Sequence, residues 1–366
     1  MQLKTKPIVL SLIVIFGLTI AVFLLTSYFR YTSTFAVAAY IKSRPAQVAI
    51  VCADPANLQN GYFHNADQAF PLAGVFKLIH LAAYSDEVAA GRLDPNERVQ
   101  LSELEKYYLP GTDGGAHPEF IKTLGENRDS LTLDEIAAGM TSYGSNAAQD
   151  YLASRLANVD YTALYQHLGL LNTSLPGSFL GLYLFIKNHE TGMWAEEDLT
   201  DREVRTEQNR LSNLFVNDPA WRQAEVNFIS KPTNAAPINV QEQVINQYGM
   251  LGSANDMSHI LQAAYGYNDV LAPASQAIMQ KHLEWIKQLN PEAAKPFNIL
   301  ASTSGAWPGV LTSAWYARPP NARPTTLVVL YRNMPDDFWN TWITTFSHQQ
   351  FETQVLLTAD CSLLSQ

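Results

Sequence analysis

Residues 70–77 read Phe70-Pro71-Leu72-Ala73-Gly74-Val75-Phe76-Lys77. An extended stretch ends here, and an apolar helix begins with a lysine in its first turn. From Phe76 to Ala90 the composition is helical, and Gly91 closes the run. Leu78, Ile79, Leu81 and Ala82 leave almost no polar face, which marks a buried helix. A buried helix N-terminus offers unpaired N–H groups and a partial positive charge. An activated hydroxyl and a developing oxyanion are well placed there, with a lysine as base if burial lowers its pKa. Gly74 lies three residues before that lysine, and the segment Phe70 to Lys77 itself contains no hydroxyl.

Upstream of this segment, Gln47 to Ala53 (QVAIVCA) predicts a strand closed by Asp54-Pro55. Gly61 to Phe70 predicts a second, so the two form a hairpin. Downstream, Tyr107 to Gly115 is a turn-rich loop. Thr132 and Glu135 form a capping box at a helix start. A helix covers residues 146–157, and Ser253 opens another through about Tyr265. The stretch 188–250 is more polar, includes the acidic run Glu196 to Asp201, and predicts a solvated insertion. Phe297 to Thr303, Val310 to Ala317 and Thr325 to Arg332 predict three strands. A final amphipathic helix from Asp336 carries Phe338, Trp339, Trp342, Ile343 and Phe346 at core-facing spacing. Strands from both ends of the body then join one antiparallel sheet. The expected fold is α+β, with helices packed on that sheet and a mainly helical middle.

The chain has 366 residues, 47% hydrophobic and 16% charged, a core-forming composition. Five basic and no acidic residues lie in positions 1–44, which leaves 19 basic against 34 acidic residues beyond them. An acidic body without a basic stripe excludes nucleic-acid backbone binding. None of the eight histidines forms a metal pattern, and the Gly111–Gly115 loop lacks a phosphate-loop ending, so no metal or cofactor is expected. Cys52 and Cys361 fit no zinc or redox spacing; a disulfide and two separate thiols are both open.

Residues 7–29 carry no charge. As a helix of 1.5 Å rise per residue they span roughly 34 Å, enough for a bilayer core. Ala36-Val37-Ala38 resembles a cleavage site, but Arg30 separates it from an apolar run longer than a signal peptide needs. The expected organisation is a transmembrane anchor in residues 1–30, a juxtamembrane linker in 31–44 and one domain in 45–366. Basic residues flank both sides of the apolar run, so charge alone does not orient it.

The segment Phe70 to Lys77 resembles that of the class A β-lactamase and penicillin-binding superfamily, where it reads Phe-Pro-x-x-Ser-x-Phe-Lys. Phe70, Pro71, Phe76 and Lys77 match, and Gly74 stands at the nucleophile. Gly144-Ser145-Asn146 aligns with the family's Ser-Asp-Asn, so the relay serine is also glycine while Asn146 is kept. Thr303-Ser304-Gly305 aligns with Lys-Thr-Gly, with Thr303 in place of the cation and Gly305 kept. No acid lies where the loop glutamate should follow Leu168-Gly169-Leu170. The resemblance covers residues 45–358 and implies an extracytoplasmic serine-hydrolase relative.

Gly74, Lys77, Gly144, Asn146, Thr303 and Gly305 are thus the site-equivalent positions. With the acylation groups missing, the expectation is a membrane-held, non-catalytic protein of the cell envelope. Lys77, Asn146, Ser304 and Gly305 would bind a cell-wall peptide or carboxylate ligand, or the cleft would serve as an interaction surface. Lys77 reads equally as an anion-binding group and as an inherited structural lysine. The alternative is an active hydrolase of another substrate, with Ser145 or Ser304 as replacement nucleophile. Trp307 and Tyr108 are candidates to flank the cleft.

Overall fold

The computed structural model describes residues 34–194 and 199–365. The apolar run 7–29 lies outside the described residues. Among those described, no helix is long and apolar enough to cross a membrane.

In chain order the main helices are α1 (Thr34–Ser43), α2 (Lys77–Ala89), α3 (Ala116–Thr123), α4 (Leu133–Ala138), α5 (Asn146–Arg155), α6 (Phe179–Ile186), α7 (Asp201–Asn217), α8 (Pro219–Ile229), α9 (Ile238–Tyr248), α10 (Ala254–Ala264), α11 (Pro273–Leu283), α12 (Asp336–Thr345) and α13 (Ser347–Thr358). The central strands are β1 (Val48–Asp54), β2 (Asn57–His64), β3 (Ile299–Trp307), β4 (Val310–Arg318) and β5 (Thr325–Tyr331). They form one antiparallel sheet in the order β2-β1-β5-β4-β3. Both ends of the body meet in it, as the sequence predicts, through pairs such as Ile50–Val329.

The inner strands β1, β5 and β4 are buried along nearly their whole length because both faces of the sheet are covered there. On one face Ala49, Val51, Ala314, Val328 and Leu330 join α2 and α10 in the larger core. On the other, Ile50, Trp315, Val329 and Tyr331 pack with Val37 and Tyr40 of α1, Trp342 of α12 and Val355 of α13. The Thr132–Glu135 capping box starts α4, and the Ser253 hydroxyl caps α10.

Four sequence expectations need correction. Residues 34–43, expected as linker, are a helix whose Val37, Tyr40 and Ile41 are buried in the domain. Ala36-Val37-Ala38 lies inside that helix. The second strand stops at His64, and Phe70–Pro71 pairs separately with Leu251–Gly252. The polar segment 188–250 is largely helical, and its Val204, Leu211, Phe215, Val244 and Ile245 belong to the main core. Its amphipathic helices hide their apolar stripe inside a polar composition. Finally, the terminal helix breaks at Phe346, whose φ is +54°, and this residue is 53% exposed rather than core.

Cys52 of β1 and Cys361 are joined by a disulfide with Cα atoms 5.7 Å apart. It fastens the C-terminal turn Cys361–Leu364 to the sheet across 309 residues of chain. Cys361→Ser is expected to cost about 2–5 kcal/mol in urea unfolding under oxidising conditions.

Glu352 of α13 is fully buried and accepts a 2.8 Å bond from Trp315 Nε1. Burial pushes its carboxyl up to about 7. A folded pKa above the unfolded one means that the folded state holds the proton more tightly. The stabilisation is complete below the unfolded value, near 4.3, and is lost as pH rises through about 7. Glu352→Gln keeps an acceptor for Trp315 and cannot ionise. Its stability relative to the parent should rise by about 1–3 kcal/mol between pH 4 and pH 8, measured by urea unfolding at both.

Candidate active-site cleft

The pairing of Phe70–Pro71 with Leu251–Gly252 delivers the chain into a tight 3-10 turn, Ala73–Phe76, and α2 follows at once. Every residue of the turn is buried. Ala73 has φ of +42°, a strained value for a residue with a side chain. The turn is tied to its surroundings by Leu72 N donating to Met250 O (2.9 Å) and by Thr312 Oγ1 donating to Leu72 O (2.9 Å).

Edge strand β3 lies directly against this turn. A Cβ built on Gly74 would overlap the carbonyl oxygen of Ser304 and sit 2.8 Å from Gly305 Cα. A Cβ built on Gly305 would overlap the backbone nitrogen of Gly74. The two backbones touch at the position that the motif resemblance aligns with a serine. Gly74 is therefore a close-packing glycine.

Lys77 opens α2 and is only 4% exposed. Its Nζ donates to Gly144 O (2.5 Å) and to Asn146 Oδ1 (3.4 Å), with the Phe179 ring centroid 5.8 Å away. Burial brings its pKa down to about 8, opposed by the charges of Asp113 and Asp150. Gly144 ends the turn of Gly139–Tyr143 with φ of +82°, a conformation that favours glycine. Asn146 starts α5 and donates to Thr112 O (3.4 Å), which ties the 107–115 loop to the site.

Gly74, Lys77, Gly144, Asn146, Ser304 and Gly305 all line one cleft of about 840 Å³. Its aromatic wall includes Phe179, Tyr183, Trp307, Trp339 and Phe346. Tyr183 and Trp307 stack with centroids 4.2 Å apart, and the Trp307 and Trp339 indole N–H groups donate to Gln241 O and Val310 O. Trp339 and Ile343 pack against the second core, as expected, and also contribute to this wall, whereas Phe346, expected as core, is exposed there. Thr303 is buried and does not line the cleft. Tyr108 packs on the His117 ring instead of flanking the opening.

The acidic loop residue has no counterpart in the loop after Leu170. That loop is held by Asp256, which accepts from Leu171 N, Asn172 N and Thr173 Oγ1. Two acids that the sequence reading passed over act on Lys77. Asp113 lines the cleft and accepts from the N–H groups of Gly115 and His117. Asp150 is buried, caps α6 through Phe179 N (3.1 Å) and Leu180 N (2.7 Å), and is pushed up to about 6 by burial. It lies four residues after Asn146, on the same face of α5, a spacing that would have found it.

Of the two candidate replacement nucleophiles, Ser304 is exposed in the cleft but has no hydrogen-bonded base among the described residues. Ser145 does have a base. His117 Nδ1 lies 2.8 Å from Ser145 Oγ, and His117 Nε2 lies 3.2 Å from Glu105 Oε1. Yet Ser145 is wholly buried, does not line the cleft, and caps α5 by accepting from Ala148 N (3.0 Å). That chain of side chains anchors α3 to α5.

No curated protein matches this chain in sequence. Among solved structures, a β-lactamase from Sphaerobacter thermophilus shares 17% identity at a TM-score of 0.54, over 87% of this chain and 97% of its own. A reconstructed class A β-lactamase of the last common ancestor of Gram-negative bacteria is similar at 17% identity and TM-score 0.53, over 88% and 98%. A β-lactamase from Chitinophaga pinensis is similar at 17% and 0.51, over 88% and 99%. These likenesses establish the fold. The Beta-lactamase enzyme family matches residues 34–349, from the start of α1 into α13. The chain belongs to that family.

Proposed function

We propose that this family member does not acylate and that its cleft binds a ligand without a serine ester. The observation that carries this reading is the contact between Gly74 and strand β3. The serine is missing, and so is the space for its Cβ. The loss of the relay serine at Gly144, the uncharged and buried Thr303, and Phe179 beside Lys77 support the same reading. A cleft of about 840 Å³ with aromatic walls and a few polar groups is the size and character of a small-ligand site. A cell-wall peptide or carboxylate ligand would meet Lys77, Asn146, Ser304 and Gly305.

Placement at the cell envelope, on a membrane anchor formed by residues 7–29, is part of the proposal. It rests on that uncharged run and is supported by the Cys52–Cys361 disulfide, which suits an oxidising compartment. The apolar run ends only a few residues before α1, so the domain would sit close to the bilayer.

An active hydrolase is favoured only by the Ser145–His117–Glu105 chain, and the burial of Ser145 weighs against it.

Incubation with a fluorescent penicillin should give no covalent adduct by intact-mass measurement. A stoichiometric acyl-enzyme would overturn the reading. Gly74→Ser should remain unlabelled as well, because the new Cβ displaces β3. That substitution is expected to lower stability by about 1–3 kcal/mol in urea unfolding, the usual cost of overpacking.

A further inference from the structure

The cleft keeps one strong nucleophile after losing both hydroxyls beside it, the amine of Lys77. Its Nζ is tetrahedral. One vertex is Cε, and two N–H bonds go to Gly144 O and Asn146 Oδ1. The fourth vertex has no hydrogen-bond partner among the described residues. In the ammonium it carries the third proton, and in the amine it is the lone pair. Deprotonation therefore breaks neither existing bond. There is also room beside the nitrogen. A carbon built as a Cβ on Gly144 would lie 3.8 Å from Lys77 Nζ and meet no other neighbouring atom within 4 Å.

The geometry points to Lys77 Nζ as a covalent capture group for a small aldehyde or ketone ligand held against the aromatic wall of the cleft. This deepens the reading of the cleft as a ligand site and rests on it. The nitrogen lone pair attacks the carbonyl carbon and forms the C–N bond, while the π electrons pass to oxygen. The oxygen leaves as water, with one proton from the nitrogen and one from solvent. A protonated imine remains, and its N–H keeps Gly144 O or Asn146 Oδ1 as acceptor. The step needs no oxidant, reductant or cofactor.

The surroundings favour the amine. Burial is the main influence and lowers the Nζ pKa to about 8. The charged or titratable groups that face it are Asp113 from the cleft loop, Asp150 from α5 and His80 from its own helix. The two acids raise its pKa and are outweighed by burial. His80, wholly buried and brought down to about 4, is neutral at pH 7 and adds no charge. A lysine desolvated in this way is the usual form of an imine-forming amine.

The test uses the intact protein with millimolar benzaldehyde and sodium cyanoborohydride at pH 7, followed by peptide mapping by mass spectrometry. At that pH, a lysine of pKa about 8 holds roughly 200-fold more neutral amine than one near 10.4. Its lower basicity takes back part of that advantage. Benzylation of Lys77 should still run at least ~10-fold faster than that of the exposed Lys122 and Lys295, and the ratio should shrink by pH 10. Adducts spread over Lys122, Lys295 and other surface lysines, with Lys77 unmodified at pH 7, would overturn the inference. The ratio is read within the parent protein, so it does not depend on whether Lys77→Met folds. A penicillin adduct would defeat the non-acylating reading separately, whatever the borohydride experiment gives.

Discussion

The close approach of two backbones, Gly74 in the 3-10 turn and Gly305 in edge strand β3, is the constraint on which the site depends. Neither position admits a Cβ while the other stays where it is. The turn cannot retreat, because Leu72 is hydrogen-bonded on two sides, to Met250 and to Thr312 of β4. The strand is itself fixed by its pairing to β4 from Ile299 through Trp307. The glycine at position 74 and the closure of the space around it are therefore one structural fact. A serine enzyme needs a gap between helix start and strand to hold a hydroxyl and a reacting carbonyl. Here main chain fills that gap.

With the strand closed onto the turn, the polar chemistry falls to Lys77 and its neighbours. An isolated ammonium buried in an apolar core is costly. This one is accommodated by two acceptors on the α5 side, by the fields of Asp113 and Asp150, and by partial loss of its proton near neutral pH. Asp150 does double duty, since it also caps α6 and so places Phe179 beside Lys77. The aromatic ring on the lysine and the acid beneath it thus have a common cause.

The features legible in the sequence were those written in local pattern. The strand runs at both ends, the capping box at Thr132 and the helix from Ser253 depend on neighbours within a few residues. The family motifs brought Gly74, Lys77, Asn146 and Gly305 to one place through order alone. What the sequence hid depends on distant contacts. α1 looked like a linker because its buried face is matched by α13, some 300 residues later, and not by its own surroundings. The pairing of Ser145 with His117 joins the start of α5 to α3, which share no motif. The helix break at Phe346 defeated a periodicity argument, because the aromatic spacing continues through a residue that has left the helix. Thr303 was expected at the site, yet strand alternation turns it into the core and leaves Ser304 facing the cleft.

The two glycines, Gly74 and Gly144, exclude a side chain for different physical reasons. At Gly74 the backbone conformation tolerates a side chain and the space does not. At Gly144 the reverse holds, because φ of +82° disfavours a side chain while the volume beside it is open as far as Lys77 Nζ. The Gly74 turn is therefore closed against strand β3 by main chain. The Gly144 side is held open by a conformation that glycine adopts without strain. On the proposed reading, a ligand in this cleft would meet Lys77 from the Gly144 side, beside the aromatic wall and the 107–115 loop.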